Sequence, residues 1–493
     1  MKRIFILLIS ILFLTDGFSQ SVYVDRALSF SSNKYGGTAR FVGMGGAFGA
    51  LGGDFSSLSI NPAGLGVYRS SEFVFSPGMS YSNNSSMYIN NPMEDDNYAM
   101  NLNNLSFVAS YDLENTDTRW INANFAVGFN RTNNFNDNVL FEGVNNSSLM
   151  EVFVTYARQT TDPDQLDGMY EYLLWQSELL LFDSTAMEFY NEIDDEIYIN
   201  NPDNFEINQR KIIKGEGSNN ELNLAFGGNY ADKLYIGASI GINFLNYTEY
   251  ATHYEYESVN AEVPGVYGFS FIESSKTKGT GLNVKVGAIY KPLDFLRIGA
   301  AIQTPTFYDL EEEFYNKAVG YYDDGLTLDA KSPVQNYTYE LNTPFRFVGS
   351  VGLQIGKIGI IDIDYEYVNY TKMNMDDDDN SQAIIDDNNN INNIFTKTHN
   401  LRAGAEFRTG PFYLRAGGGY YMNPYKDGDS GLNSTIVLAG GAGYRVNKFF
   451  IDFAYSQSRM SYKMMAYDWL YNTAVANIDN TTNNFIVTMG FKF

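Results

Sequence analysis

The chain has 493 residues, with 33 basic against 58 acidic side chains, a formal net charge of −25 and no cysteine. That charge makes nucleic acid a poor partner, and the missing thiols exclude disulfides, thiolate metal sites and a lipid-modified cysteine anchor. With 38 Tyr, 36 Phe and only 12 Pro, the composition suits aromatic-rich strands and argues against a disordered acidic chain.

In chain order, Lys2 and Arg3 precede an apolar run from Ile4 to Leu14 and then Gly17-Phe18-Ser19. This is the pattern of a secretory signal peptide, so residues 1–19 are expected to be removed on export. The run is too short for a spanning helix, which needs about 20 residues. Residues 20–71 form a glycine-rich segment, with ten glycines between Gly36 and Gly66, a density that forbids an ordinary helix. Gly43-x-Gly45 is not a dinucleotide-binding turn, because Phe48 stands where a third glycine is required and no strand precedes it. Gly45-Gly46 instead suits compact backbone packing, and Asn61-Pro62-Ala63-Gly64 is a turn signal.

From residue 72 to the end the chain reads as membrane strands. Leu234, Ile236, Ala238, Ile240, Ile242 and Phe244 alternate with Tyr235, Gly237, Ser239, Gly241 and Asn243, apolar against small or polar, as a barrel strand between lipid and lumen requires. Strands of this kind begin near residues 72, 104, 119, 220, 234, 279, 295, 344, 358, 398, 412, 434, 448 and 483. Short turns at Asp232, Pro292-Leu293-Asp294, Gly356-Lys357, Thr409-Gly410-Pro411 and Asn447 interleave with long loops, the asymmetry of outer-membrane barrels. The fold class is therefore all-β: a transmembrane antiparallel barrel of about 14 strands, residues 72–493, with the N-terminal segment as a hatch plugging the lumen.

Residues 132–219 are too many for a structureless loop. Within them Leu166, Met169, Tyr170, Leu173, Leu174, Leu180 and Leu181 recur at helical spacing after Asp162-Pro163-Asp164, predicting an amphipathic helix in an extracellular insertion. Its apolar face suits a cap on the barrel; alternatively Tyr170, Leu173, Leu174, Trp175 and Phe182 admit an apolar ligand. Asp376–Asp379 with Asp386 and Asp387 form an acidic run in the loop after the ninth strand, and Glu311, Glu312 and Glu313 a second. Both read as solvated loop charges, since the spacing and central glycine of a calcium loop are missing. Asp362, Asp364 and Glu366, together with Arg346, Arg402, Glu406, Arg408, Arg415 and Arg445, fall on the lumen-facing phase and are expected to pair, because unpaired charge in a narrow lumen is costly. Gly128 and Asn130 could mark a strand distortion, though an ordinary lumen-facing pair is the plainer reading. His253 is placed in a loop and His399 at the outer end of the tenth strand; neither suits an axial haem ligand. No Gly-x-Ser-x-Gly elbow occurs, and no enzyme, cofactor or metal site is expected.

The chain closes on Phe485, Val487, Met489, Phe491 and Phe493 at every second position, which resembles the strand signal read by the barrel assembly machinery. The glycine-rich stretch with Asn61-Pro62-Ala63 just before the first strand, Leu296–Thr306, and Thr343-Pro344-Phe345-Arg346 together resemble the FadL/TodX family of channels for hydrophobic compounds. The resemblance implies a fourteen-stranded outer-membrane barrel whose hatch rearranges when a hydrophobic molecule binds, releasing it sideways into the membrane. It implies passive uptake of hydrophobic small molecules such as long-chain fatty acids, with outer-membrane lipids and the assembly machinery as further partners. The alternative is a structural or shuttle subunit of a secretion assembly, holding a protein partner with its long loops.

Overall fold

A computed structural model describes residues 22–34, 36–113, 119–195, 205–258, 263, 265–377, 381–426, 433–467 and 474–493. The expected signal peptide, residues 1–19, lies outside these. Fourteen antiparallel strands form a closed barrel. They are β1 Glu72–Tyr88, β2 Asn91–Asp112, β3 Trp120–Asn134, β4 Ile207–Tyr230, β5 Leu234–Glu257 and β6 Val266–Leu293. Two strands are each broken once: β7 as Leu296–Gln303 and Phe307–Tyr322, and β8 as Gln335–Asn342 and Arg346–Ile355. The wall continues through β9 Gly359–Asn369, β10 Lys397–Thr409, β11 Phe412–Tyr421, β12 Thr435–Val446, β13 Phe449–Met465 and β14 Val475–Lys492. Pairing of β1 with β14, Glu72 opposite Lys492, closes the ring.

Alternation sets which way each side chain faces. On β5, Ile236, Ile240 and Phe244 are exposed while Ser239 and Asn243 are buried; on β14, Phe485, Val487, Met489 and Phe491 face out, and Ile486 and Thr488 face in. The breaks in β7 and β8 fall side by side at Pro305 and Pro344, which cannot donate to a ladder. There Thr306 N–H donates to Thr343 Oγ1 at 2.8 Å and Thr343 N–H to Thr306 O at 3.1 Å, so the bend is bridged by hydroxyl and backbone.

Most strand starts agree with the sequence pattern, but β2, β4, β6, β8 and β14 begin 8 to 13 residues earlier than expected, at Asn91, Ile207, Val266, Gln335 and Val475. These extensions stand above the hydrocarbon, where neither face meets lipid and the membrane alternation is no longer needed. They carry an outer cap. Its helix α3, Leu149–Ala157, starts at Ser148 in a capping box with Glu151 and was not anticipated. The long helix expected after Asp162 is instead a single turn, Pro163–Gln165, and the short α4, Glu171–Gln176. Glu178 takes a positive φ of 57° and reverses the chain into a small hairpin, Leu181–Asp183 against Glu188–Tyr190.

Candidate functional site

The N-terminal segment lies inside this wall. Helix α1, Val22–Ser31, and the short α2, Ala39–Gly43, lead to single turns at Phe55–Ser59 and Pro62–Val67. The α2 turn touches β11, β12, β13 and β14, while the Pro62 turn touches β3, β4, β5 and β6 across the lumen. Asn61 caps that turn: its Oδ1 accepts Ala63 N–H at 3.1 Å, and its Nδ2 donates to Gly49 O at 2.6 Å and Ala288 O at 3.3 Å. Pro62 is preorganised for the first position of such a turn, and Ala63 is buried against Tyr235 and Ile289. Gly52 requires glycine opposite Gly64, since a Cβ there would meet Gly64 Cα at 2.4 Å with φ at +64°. Gly45, at φ +65°, approaches Gly418 N of β11 to within 2.5 Å of where a Cβ would be, and Gly46 faces the cavity described below.

The expected lumen charges pair as anticipated, with each other and with the segment. Arg402 lies 3.3 Å from Glu366 and 3.7 Å from Asp364; Arg346 lies 3.4 Å from Glu366. Arg415 bridges Glu406 at 2.7 Å and Asp452 at 2.6 Å, and Arg40 of the segment meets Glu406 at 2.9 Å. Arg408 departs from the expectation: it is exposed, because β10 has run past the lumen into its turn, and Arg445 is half-buried. Sequence reasoning missed Arg26 of α1, which pairs with Glu312 and, at 3.6 Å, with Glu249. Glu312 is therefore a buried lumen residue and not a solvated loop charge. It falls in phase with Tyr308 and Leu310, and that alternation was the available signal.

Above the segment opens a cavity of about 1730 Å³. Leu149, Val152, Phe153, Phe271, Met460 and Met464 supply apolar lining, and Arg26, Lys34, Arg131 and Lys211 supply cations. At its side the wall is interrupted. The β2–β3 ladder ends at Asn104 opposite Asn130, the β3–β4 register shifts between Arg131 and Asn133, and the chain continues as Asp137–Asn145, paired with β4 from Gly215 to Ile207 but no longer with β2. The segment fills the vacated edge: Lys34 N–H donates to Thr132 O at 2.9 Å, Gly36 N–H to Arg131 O at 3.1 Å, and Asn133 Nδ2 to Ser29 and Ser32 carbonyls at 3.1 Å. Gly128 packs on Phe55, and Asn130 bonds Asn104 and Ser59, so these two are ordinary inward positions at the foot of the interruption.

Of the residues expected to admit ligand, Tyr170 lines the cavity, stacked 6.2 Å from Phe271. Burial pushes its hydroxyl above the ordinary tyrosine range, leaving it neutral. Leu173 and Leu174 are fully buried in the cap core, and Trp175 and Phe182 pack against that core around Phe189. His253 stands within β5, not in a loop; its Nε2 lies 2.8 Å from Glu255, which also accepts Leu149 N–H at the start of α3. His399 is exposed beside Tyr365. Of the acidic run, Asp378 and Asp379 lie outside the described residues, while Asp386 and Asp387 belong to the helix α5, Gln382–Ile394, and not to a loop. Ser381 caps that helix.

No family model and no curated protein matches the chain. Among solved structures, the toluene transporter TodX of P. putida aligns over 93% of this chain and 99% of its own, with a TM-score of 0.54 and 14% identity. The chain has the FadL/TodX barrel fold. A Pseudomonas aeruginosa FadL homologue shares it at TM-score 0.54 and 13% identity over 93% of this chain and 98% of its own. The CymD monoaromatic hydrocarbon channel does so at 0.50 and 13%, again over 93% and 98%. Within the FadL/TodX fold, the apolar belt on the outer face of β1–β14 is the lipid-facing surface of an outer-membrane barrel.

Proposed function

We propose that this barrel is an outer-membrane channel for passive uptake of hydrophobic small molecules, long-chain fatty acids among them. The observation that carries the reading is the large, partly apolar cavity resting on a segment that fills the lumen and seals the interruption between β2 and β3. A molecule that settles in the cavity and loosens residues 29–36 from β3 uncovers a route through the wall into the bilayer, with no route straight through the lumen. Of the similar structures, TodX is a toluene transporter and CymD a monoaromatic hydrocarbon channel, and such ligands suit a cavity lined by Phe, Met and Tyr side chains. Export by a signal peptide, and assembly guided by the Phe485–Phe493 pattern, belong to the same proposal. The test is to purify the barrel from native membranes, extract it with organic solvent, and compare bound lipids by mass spectrometry with those of an unrelated barrel. Enrichment of a fatty acid or other apolar molecule is expected. A control-like profile would shift the assignment to a structural subunit of a secretion assembly.

A further inference from the structure

We propose that the outer edge of β2, from Glu94 to Met100, is a docking strand for an extended, lysine- or arginine-bearing segment of a partner protein, which adds to the wall at the outer membrane surface. β2 pairs with β1 from Asn91 to Val108 but with β3 only from Asn104 onwards, so its other edge is open over the outer residues. The two-residue turn Ile89-Asn90, with φ of 46° and 61°, makes Tyr88 and Asn91 a hydrogen-bonded pair. Alternation from that pair directs the N–H and C=O groups of Glu94, Asp96, Tyr98 and Met100 away from β1. Pro92 falls in the same row, where a missing N–H costs no ladder bond. Asp96 spends both its groups, the N–H on Asp95 Oδ1 at 2.8 Å and the carbonyl on Asn138 Nδ2 at 3.1 Å. Among the described residues, those of Glu94, Tyr98 and Met100 meet no backbone partner.

Among the described residues no strand of this chain covers that edge. The facing carbonyls of β3, Arg131 and Thr132, are taken by Gly36 and Lys34 of the N-terminal segment. Asp137–Asn145 runs on the lumen side of the β1–β2 hairpin, held by the buried side chains of Ser82, Asn84 and Ser86. The outward side chains of the row give the partner's chemistry. Met100, 90% exposed, ends the apolar row of Met79 and Phe485, and Tyr98 stacks on Tyr81 at 4.5 Å as an interfacial aromatic pair. Asp96 and Glu94 stand exposed above them with Asp95 alongside, and among the described residues none of the three forms an ion pair. Unspent backbone groups in one row suit an extended chain, and three uncompensated carboxylates suit a cationic one. A second copy docking edge to edge would set these carboxylates against their own counterparts. The proposal stands whether or not the cavity takes a hydrophobic ligand.

The test titrates the full-length barrel, in a non-ionic detergent, against fluorescent peptides about nine residues long, enough to span the edge. One alternates lysine with valine, the second is the same peptide N-methylated at every residue, and the third alternates glutamate with valine. By anisotropy the lysine peptide should bind at least about tenfold tighter than either control, and it should slow amide hydrogen exchange over residues 91–102. Tyr98→Pro removes an N–H that β1 does not use and leaves every charge in place; it should weaken the lysine peptide about tenfold, as should E94Q/D96N. Heat-dependent gel mobility confirms that both variants are folded. Equal binding of the N-methylated peptide overturns the proposal, because charge alone would then hold it. Unchanged binding to both variants does so too, since the peptide would sit elsewhere, and so does no binding of the lysine peptide. Slow exchange over residues 91–102 in the barrel alone also overturns it: if dilution to monomers relieves the protection, the edge belongs to a second copy, and if not, the chain closes it itself.

Discussion

The carboxylate of Asp364, on β9, accepts the backbone N–H of Gly49 at 3.0 Å from Oδ1 and that of Phe48 at 3.1 Å from Oδ2. Two residues along, Asp362 accepts Ala50 N–H at 3.3 Å. A side chain at position 49 would come 2.0 Å from Ser350 Oγ, so glycine is what lets the backbone reach the wall. Asp364→Ala should leave these N–H groups without acceptors and Arg402 with one carboxylate fewer, at a cost of about 3 kcal/mol or more. The barrel should persist on heat-modifiable gels with a lower melting temperature, and conductance in planar bilayers should rise as the segment loosens. Native conductance and melting would show that the segment is held elsewhere.

Gly287 of β6 tests the same seat from a steric direction. A Cβ there would lie 2.0 Å from Asn61 Oδ1, so Gly287→Val should push the Asn61 turn off the wall and raise permeability to a bulky antibiotic. Gly287→Ala should do so less. Equal, native-like permeability in both would mean that the turn can shift without opening a path.

How much of this was legible follows from which residues face lipid. Where one face must be apolar and the other polar, as from Leu234 to Phe244, strand and register could be read directly. Above the bilayer that constraint lapses, and the starts of β2, β4, β6, β8 and β14 could not be placed. The lumen charges were legible because period-two alternation names the inward positions, whereas Arg26 was not, because its glycine-poor helix belongs to no strand. Tyr170 and Leu174, four residues apart in sequence, looked equivalent by helical spacing. The helix begins only at Glu171, so Tyr170 stands before it at the cavity while Leu174 lies within it, in a cap core that the sequence pattern did not reveal.

The N-terminal segment can be locked to the wall covalently. The Cβ position of Gly36 lies 3.6 Å from Arg131 Cβ, inside the range of about 3.5–4.5 Å for disulfides, and no native cysteine competes. With Gly36→Cys and Arg131→Cys, oxidation should abolish uptake of a neutral hydrocarbon and reduction should restore it. Undiminished uptake by the oxidised protein would exclude exit past residues 29–36.

Asp232, in the turn between β4 and β5, ties that turn to Arg69 at 2.7 Å and Lys291 at 3.1 Å. Partial burial opposes its ionisation, but hydrogen bonds from Lys291, Asn229 and Tyr235 outweigh this and hold the carboxyl below its ordinary value. A depressed folded-state pKa contributes stability above the unfolded value of about 4, and that stability is lost as pH falls through the folded value. Because the pair is exposed, the contribution is at most about 1 kcal/mol. Asp232→Asn should therefore destabilise the barrel in urea at neutral pH and converge on the native chain in strong acid; a difference that persists in acid would point to lost hydrogen bonds and not to charge.

Leu174 and Tyr170 separate capping from ligand contact. Leu174 is fully buried with Leu173, Leu179, Leu180 and Phe189, so Leu174→Ala should cost the cap about 2–5 kcal/mol and expose it to protease. Tyr170 keeps 42% of its surface open, lines the cavity and rests on Phe271. Tyr170→Ala removes ring area from the cavity and little from the core, so ligand affinity should fall by about threefold to tenfold with the cap still protease-resistant. Intact affinity in Tyr170→Ala would mean that the ligand rests lower, against the Met460 and Met464 side. Unchanged affinity in Leu174→Ala, despite a loosened cap, would show that the cap shelters the cavity without shaping it.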